Sequence, residues 1–316
     1  MSNYITEIAG TPTGSQLAMF LALSAAILHA VFGALQKGRY DPWLSRGVID
    51  LSYGIIAAPF ALFFTPWPEP HMWLIFFGMV LIHIVYKLSQ AMAYSLGAYT
   101  VVYPVVRGIG PLITVVIAGF VFGENFTLKQ WIGVLILSLA ILSLAVVNLY
   151  GSEKFKRKEL YFALSWAALA GIMVAAYTTY DAYGIRLTAD PFTFLAWFFF
   201  LDGILVFPWI ALARWQKMET TPKIIPLIFR GITGGFIAIF SFGSIMIATR
   251  LDSVGEAAVI RETSTVFAAI IGWIFFKEAP IDQLFPGVLA IVLAGMIIIW
   301  RDALRENHQR DNKKFY

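Results

Sequence analysis

Runs of apolar residues alternate with short polar stretches along the whole chain, and a run of about 20 such residues is long enough to cross a hydrocarbon core as a helix. Ten candidate spans follow: 17–36, 44–64, 72–96, 98–122 and 131–147, then 161–183, 192–213, 224–248, 254–276 and 285–300. The connectors carry helix breakers, among them "GRYDP", "TPWPEP", "GENFT", "LTADP", "KMETTPK" and "KEAPID". In "TLKQ", Thr127 and Gln130 form a capping box that predicts a helix start there. The longest linker, "NLYGSEKFKRKEL", separates two sets of five spans, residues 1–150 and 151–316.

The two sets resemble each other. Laying Arg107 on Arg261 sets an offset of 154, which also matches Phe122 to Phe276, Glu124 to Glu278 and Gly133 to Gly287. The same offset matches Val134, Leu135, Leu139 and Ala140 to Val288, Leu289, Leu293 and Ala294. An Asp-Pro pair follows the first span of each half, at Asp41 and Asp190. Repeats with an odd number of spans must lie in opposite orientations. That is the inverted-repeat plan of secondary transporters, whose substrate site sits near the midplane between repeats.

Composition narrows the class. The chain is 59% hydrophobic and 13% charged, with a mean hydropathy of +0.75. A soluble domain carries about 25% charged residues, so an all-α integral membrane protein with the bilayer as its surroundings is expected. There is no cysteine, which excludes disulfides, thiolate catalysis and cysteine-ligated metals. The four histidines, at 29, 71, 83 and 308, are scattered and form no metal pattern. No phosphate-binding G-x-x-x-x-G-K-[ST] loop occurs. Neither a cofactor nor nucleic acid is expected, and the chain does not read as an enzyme.

The stretches "VVYPVVRGIGPLITVVIAGFVFGENFTLKQWIGVLIL" and "IRETSTVFAAIIGWIFFKE", with "LHAVFGALQK" in the first span, resemble bacterial members of the drug/metabolite transporter superfamily, in its EamA-like branch. The resemblance covers nearly the whole chain. It implies ten helices in two inverted repeats, a central cavity and alternating access. It also implies a multi-pass protein of the bacterial inner membrane with both termini in the cytoplasm. The branch moves amino acids, amines, sugars and drugs, mostly outward, so the resemblance leaves the substrate open.

Charges inside the spans are the candidate chemistry, because an ionisable side chain at membrane depth faces protein or water and marks function by default. Arg107 lies mid-span in "YPVVRGIGP", where Pro104, Gly108, Gly110 and Pro111 predict a bent or broken helix. Arg261 and Glu262 point about 100° apart on one helix, so each needs a partner elsewhere. Arg107, Arg261, Glu262, Lys87, Asp202 and Tyr103 are the candidate substrate-binding residues. Asp50, Arg230 and His83 are candidates for coupling or ion pairing. Asp50 sits one turn from Arg46, which predicts a local pair. Asp202 has no local cation and needs a distant one, or a proton. Lys87 follows His83 by four residues, which places both on one face.

Weaker features have ordinary readings. Tyr177, Tyr180 and Asp181 end span 6, at a mouth or an interface. Trp43, Trp67, Trp73 and Trp300 read as an aromatic belt. Glu124 and Glu278 read as helix-end residues, His29 as a packing histidine, and "RENHQRDNKKFY" as a solvated tail. The leading expectation is export of a small anionic or zwitterionic metabolite. A lipid or polyprenyl-phosphate flippase, and less so a membrane-embedded lipid-modifying enzyme, are the alternatives.

Overall fold

The computed structural model describes residues 2–36, 40–97, 99–150, 157–267 and 271, and every regular element among them is a helix. In chain order these are α1 (Ser2–Ile8), α2 (Pro12–Gln36), α3 (Pro42–Pro59), α4 (Met72–Leu96), α5 (Tyr99–Phe122), α6 (Leu128–Tyr150), α7 (Arg157–Leu187), α8 (Pro191–Ile204), α9 (Phe207–Gln216), α10 (Ile224–Leu251) and α11 (Val254–Arg261). Seven stretches are long and apolar enough to cross a membrane, with α8 and α9 forming one of them, and α6 supplies a further apolar helix. The last span, at 285–300, and the end of the ninth lie outside the described residues.

The repeated Asp-Pro pairs start equivalent helices. Asp41 accepts from the Trp43 and Leu44 N–H groups at 2.9 and 3.3 Å, and Asp190 accepts from Phe192 N–H at 2.9 Å. Proline follows at the first helical position, where its missing N–H costs nothing. Pro59 and Pro208 lie equally far beyond these aspartates. Each interrupts its span, through a turn of π-helix at Phe60–Phe64 in one and a step at Leu205–Val206 in the other. The capping box also forms: Gln130 Oε1 accepts from Thr127 N–H at 2.9 Å.

Helices α4 and α7 pack along each other, as do α2 and α10, while α3 runs against α8, α9 and α10. Gly54 and Gly203 hold equivalent places after the two Asp-Pro pairs and meet where α3 crosses α8. A Cβ on Gly203 would lie 2.6 Å from both the Asp50 carbonyl oxygen and the Gly54 Cα. Gly203→Val is therefore expected to lower stability by about 1–3 kcal/mol, read as a fall in melting temperature. Gly243→Ala, whose Cβ would meet only a Phe199 ring carbon at 3.9 Å, is the silent control.

One end of the bundle is fastened by polar contacts. Ser2 donates to Asp190 at 2.6 Å, and Gly10 N–H to the Leu251 carbonyl at 2.9 Å. Arg186 donates to the Thr249 and Asp252 carbonyls at 2.8 and 2.7 Å, and Arg250 to those of Ile185 and Thr188. Partial burial favours the neutral form of Asp190, but donors from Ser2, Thr193 and Phe192 N–H outweigh it and hold the carboxyl below its usual range. Glu124 reads from the sequence as a helix-end residue, and it caps α11 by accepting from Val254 and Gly255 N–H at 2.7 and 3.0 Å. Glu124→Ala should cost about 0.5–2 kcal/mol, the range of a lost cap, again read by thermal melt.

Candidate functional site

Two buried charge clusters lie side by side in the interior. The first gathers on four helices. Along α3, Arg46, Asp50 and Tyr53 share a face, and Arg46 Nε donates to Asp50 Oδ1 at 2.7 Å. From α4, the Lys87 ammonium lies 2.7 Å from Asp50 Oδ2 and 2.8 Å from Asp202 Oδ1 of α8. It also donates to the Tyr53 hydroxyl at 3.1 Å. Tyr53 in turn donates to Asp202 Oδ2 at 2.5 Å. One turn back on α4, His83 Nε2 lies 2.9 Å from Asp181 Oδ2 of α7, and Nδ1 lies 3.6 Å from Asp202 Oδ1. Two fixed cations, Arg46 and Lys87, thus face three carboxylates, Asp50, Asp181 and Asp202. Among the described residues, Asp181 Oδ1 is buried without a hydrogen-bond partner.

The second cluster has the opposite sign. Glu262 accepts from Arg107 Nη1 at 3.0 Å through Oε1 and 3.3 Å through Oε2. Arg261 approaches the same Oε1 only at 3.4 Å, and its other reach is to the Thr178 hydroxyl, also at 3.4 Å. Two guanidiniums therefore share one carboxylate. Helix α5 meets α11 beside this cluster, and Glu124 just past the end of α5 caps the start of α11. The two helices therefore run antiparallel, as mates in inverted repeats must. Arg107 and Arg261 are 4% and 3% exposed, so neither faces lipid.

Helix α7 joins the clusters, since Thr178 touches Arg261 while Tyr177 and Asp181 touch His83. Aromatic rings wall the junction. Tyr177 stands 5.0 Å from His83 and 4.9 Å from Tyr86, centroid to centroid, and Phe198 packs edge-on against His83 at 5.1 Å. A cavity of about 10 Å³ remains between Arg46, Tyr53, His83, Tyr86 and Asp202, room for roughly one water. Further along α4, Gln90 donates to the Tyr86 hydroxyl at 2.9 Å and to that of Tyr94 at 3.4 Å. His83, Tyr86, Gln90 and Tyr94 thus form a polar stripe leading from the clusters to the end of the helix.

Of the residues singled out in the sequence, Lys87, Asp202, Asp50 and His83 come together in the first cluster, and Arg107, Arg261 and Glu262 in the second. Tyr103 lies under Arg107, with the guanidinium carbon 5.5 Å from its ring centroid. Arg230 lies apart from both clusters: it donates to the Leu35 carbonyl and covers the Tyr40 ring at 4.8 Å. The expected break at Arg107 is absent, because α5 is helical throughout. The interruption falls instead in the mate, where α11 stops at Arg261 and Glu262 is its cap. Tyr53, Thr178 and the buried role of Asp181 escaped the sequence reading. Tyr53 has a signal, its place one turn from Asp50 on the Arg46 face.

The helical bundle is similar to known proteins. The EamA-like transporter family matches residues 16–146 and again 161–300. An uncharacterized transporter of Archaeoglobus fulgidus is 28% identical over 196 residues, which is 60% of this chain and 62% of that protein's length. A solved crystal structure superposes with a TM-score of 0.70 at 18% identity, covering 89% of this chain and 98% of its own. At that identity it speaks for the fold alone. The two family matches fall one on each repeat, and the chain belongs to the EamA-like transporter family of membrane transporters.

Proposed function

We propose that the chain is a secondary transporter that exports a small zwitterionic or anionic metabolite across the bacterial inner membrane by alternating access. The observation that carries this reading is the pairing of a cation-rich cluster with an acid-rich one, joined by α7. Arg261 holds its one carboxylate only at 3.4 Å, and its planar fork suits a substrate carboxylate. The unpartnered Asp181 oxygen suits an ammonium group. The small cavity fits a closed state that must widen to admit even an amino acid. Both termini are assigned to the cytoplasm, following the family. Single cysteines introduced into this cysteine-free chain, at Ser2 and at Lys154, would react from opposite sides of the membrane, with Ser2→Cys labelled from the cytoplasm.

The test is counterflow in liposomes holding the purified protein, with labelled neutral amino acids, dicarboxylates and monoamines as separate probes and no nucleotide added. Exchange of the amino acid or dicarboxylate probe supports the reading, and exchange of the amine alone overturns it. One observation favours a flippase. An apolar cavity of about 480 Å³ lies between α2, α3, α8 and α10, and Phe199 walls both it and the small polar cavity. Scrambling of a labelled anionic lipid, without amino-acid exchange, would select that alternative.

A further inference from the structure

His83 of α4 sits between two carboxylates of the second repeat. Its ring is 4% exposed, and both nitrogens face carboxylate oxygens contributed by the second repeat, Asp181 at 2.9 Å and Asp202 at 3.6 Å. A neutral imidazole has one N–H and one lone pair. With the N–H on Nε2, bonded to Asp181, the lone pair on Nδ1 would point at the Asp202 carboxylate. With the N–H on Nδ1, it would point at Asp181. Only the imidazolium turns an N–H toward each. The charged surroundings agree: α3 contributes Arg46, Asp50 and Tyr53, α4 Tyr86 and Lys87, α7 Tyr177 and Asp181, α8 Asp202, and Arg261 lies beyond Thr178. Within the first cluster the carboxylates Asp50, Asp181 and Asp202 outnumber the fixed cations Arg46 and Lys87 by one, and His83 lies between two of these carboxylates.

We infer that His83 binds the proton exchanged for substrate, and that this proton ties α4 of the first repeat to α7 and α8 of the second. The Asp181 oxygen left without a partner and the two oxygens facing His83 form one acceptor set. An arriving substrate ammonium donates its N–H bonds to the same oxygens. The imidazolium then loses its advantage and gives its proton to water on the side to which the cavity is open. Proton and ammonium exclude each other, which is the condition for antiport. The proton site stands on the geometry of His83, and its exchange with an ammonium rests on the transport reading above.

The experiment is ¹⁵N NMR of the full chain labelled at histidine, in lipid nanodiscs near neutral pH. The chain has four histidines, so His83 is assigned by its loss in His83→Gln, or by elimination with His29→Gln, His71→Gln and His308→Gln. Without substrate, both His83 nitrogens are expected to show the imidazolium shift. Asp181→Asn is expected to convert the ring to the neutral form. A neutral His83 ring in the unliganded wild type would overturn the proton site. Adding the neutral amino acid that gives counterflow should neutralise His83 in the wild type. An unchanged imidazolium under saturating probe would overturn the exchange. Absence of counterflow in the wild type counts against the transport reading alone, because the ring state of the unliganded protein still decides the proton site.

Discussion

Lys87→Met is expected to be the most damaging single substitution in the protein. Lys87 is 2% exposed, and its ammonium touches Asp50, Asp202 and Tyr53 at 2.7, 2.8 and 3.1 Å. Removing it leaves Asp202 buried with no fixed cation in contact among the described residues, and Asp50 with Arg46. Deleting one partner of a buried ion pair typically costs about 3–5 kcal/mol, because the other charge stays desolvated and unpaired. A membrane bundle of marginal stability would lose most of its folded population at that cost. Methionine has nearly the same length as lysine, so the loss would be electrostatic and not a cavity effect. Adding Asp202→Asn to Lys87→Met removes the stranded charge and should recover about half or more of the loss, since replacing both partners of a buried pair is often near neutral. The measurement is the melting temperature and monodispersity of the three proteins in one detergent. A Lys87→Met protein that melts with the wild type would show that Lys87 is not the hub of the first cluster.

Helices were legible because apolar runs report their own length. The first eight spans read from the sequence match described helices to within a few residues, and the Asp-Pro pairs that recur in the two halves cap α3 and α8. The polar partners were legible only in part. Asp50 and Arg46 are a turn apart on one helix, so spacing alone predicts their contact. Asp202 could be read as needing a distant cation, but Lys87 became that cation only through the packing of α8 against α3 and α4, which no local pattern encodes.

The helix break was misplaced for a physical reason. Pro104 and Pro111 each remove one N–H, and α5, packed between α6 and α7, tolerates the loss without a non-helical step. The second repeat breaks where there is neither proline nor glycine. Thr263 and Thr265 turn their hydroxyls back onto the carbonyls of Ile260 and Glu262, both at 2.7 Å. The N–H groups of Glu262 and Thr263 bond three residues back, to Val259 and Ile260. Hydroxyls that compete for helix carbonyls bend a helix as proline does, but more weakly. "RETST" carries that signal, though a search for Pro and Gly passes over it. The contact of Arg261 with its neighbour Glu262 follows from this break, since the two side chains would diverge on a continuous helix.

Arg107 and Arg261 occupy matching places in the two repeats, yet opposite outcomes are expected from their replacement. Arg107 reaches both oxygens of Glu262, at 3.0 and 3.3 Å, and closes the second cluster. Arg107→Gln should therefore destabilise by about 3–5 kcal/mol, with recovery in Arg107→Gln combined with Glu262→Gln. Arg261 makes no polar contact shorter than 3.4 Å among the described residues. Its folded-state role is correspondingly small, and Arg261→Lys should fold with a melting temperature near that of the wild type. It keeps the charge but loses the planar pair of donors that matches a carboxylate. A charged hydrogen bond is worth about 1.5–3 kcal/mol, so apparent affinity for the transported anion should fall by roughly one to two orders of magnitude. Arg261→Gln should fold and abolish transport, and no second neutral substitution should restore it. The assays are thermal melts and counterflow on these four proteins and on Arg261→Gln combined with Glu262→Gln. Normal transport by a folded Arg261→Gln protein would remove Arg261 from the binding site. Rescue of that variant by Glu262→Gln would instead assign Arg261 to a structural pair, because neutralising a partner can repair a fold but cannot replace a donor fork aimed at substrate.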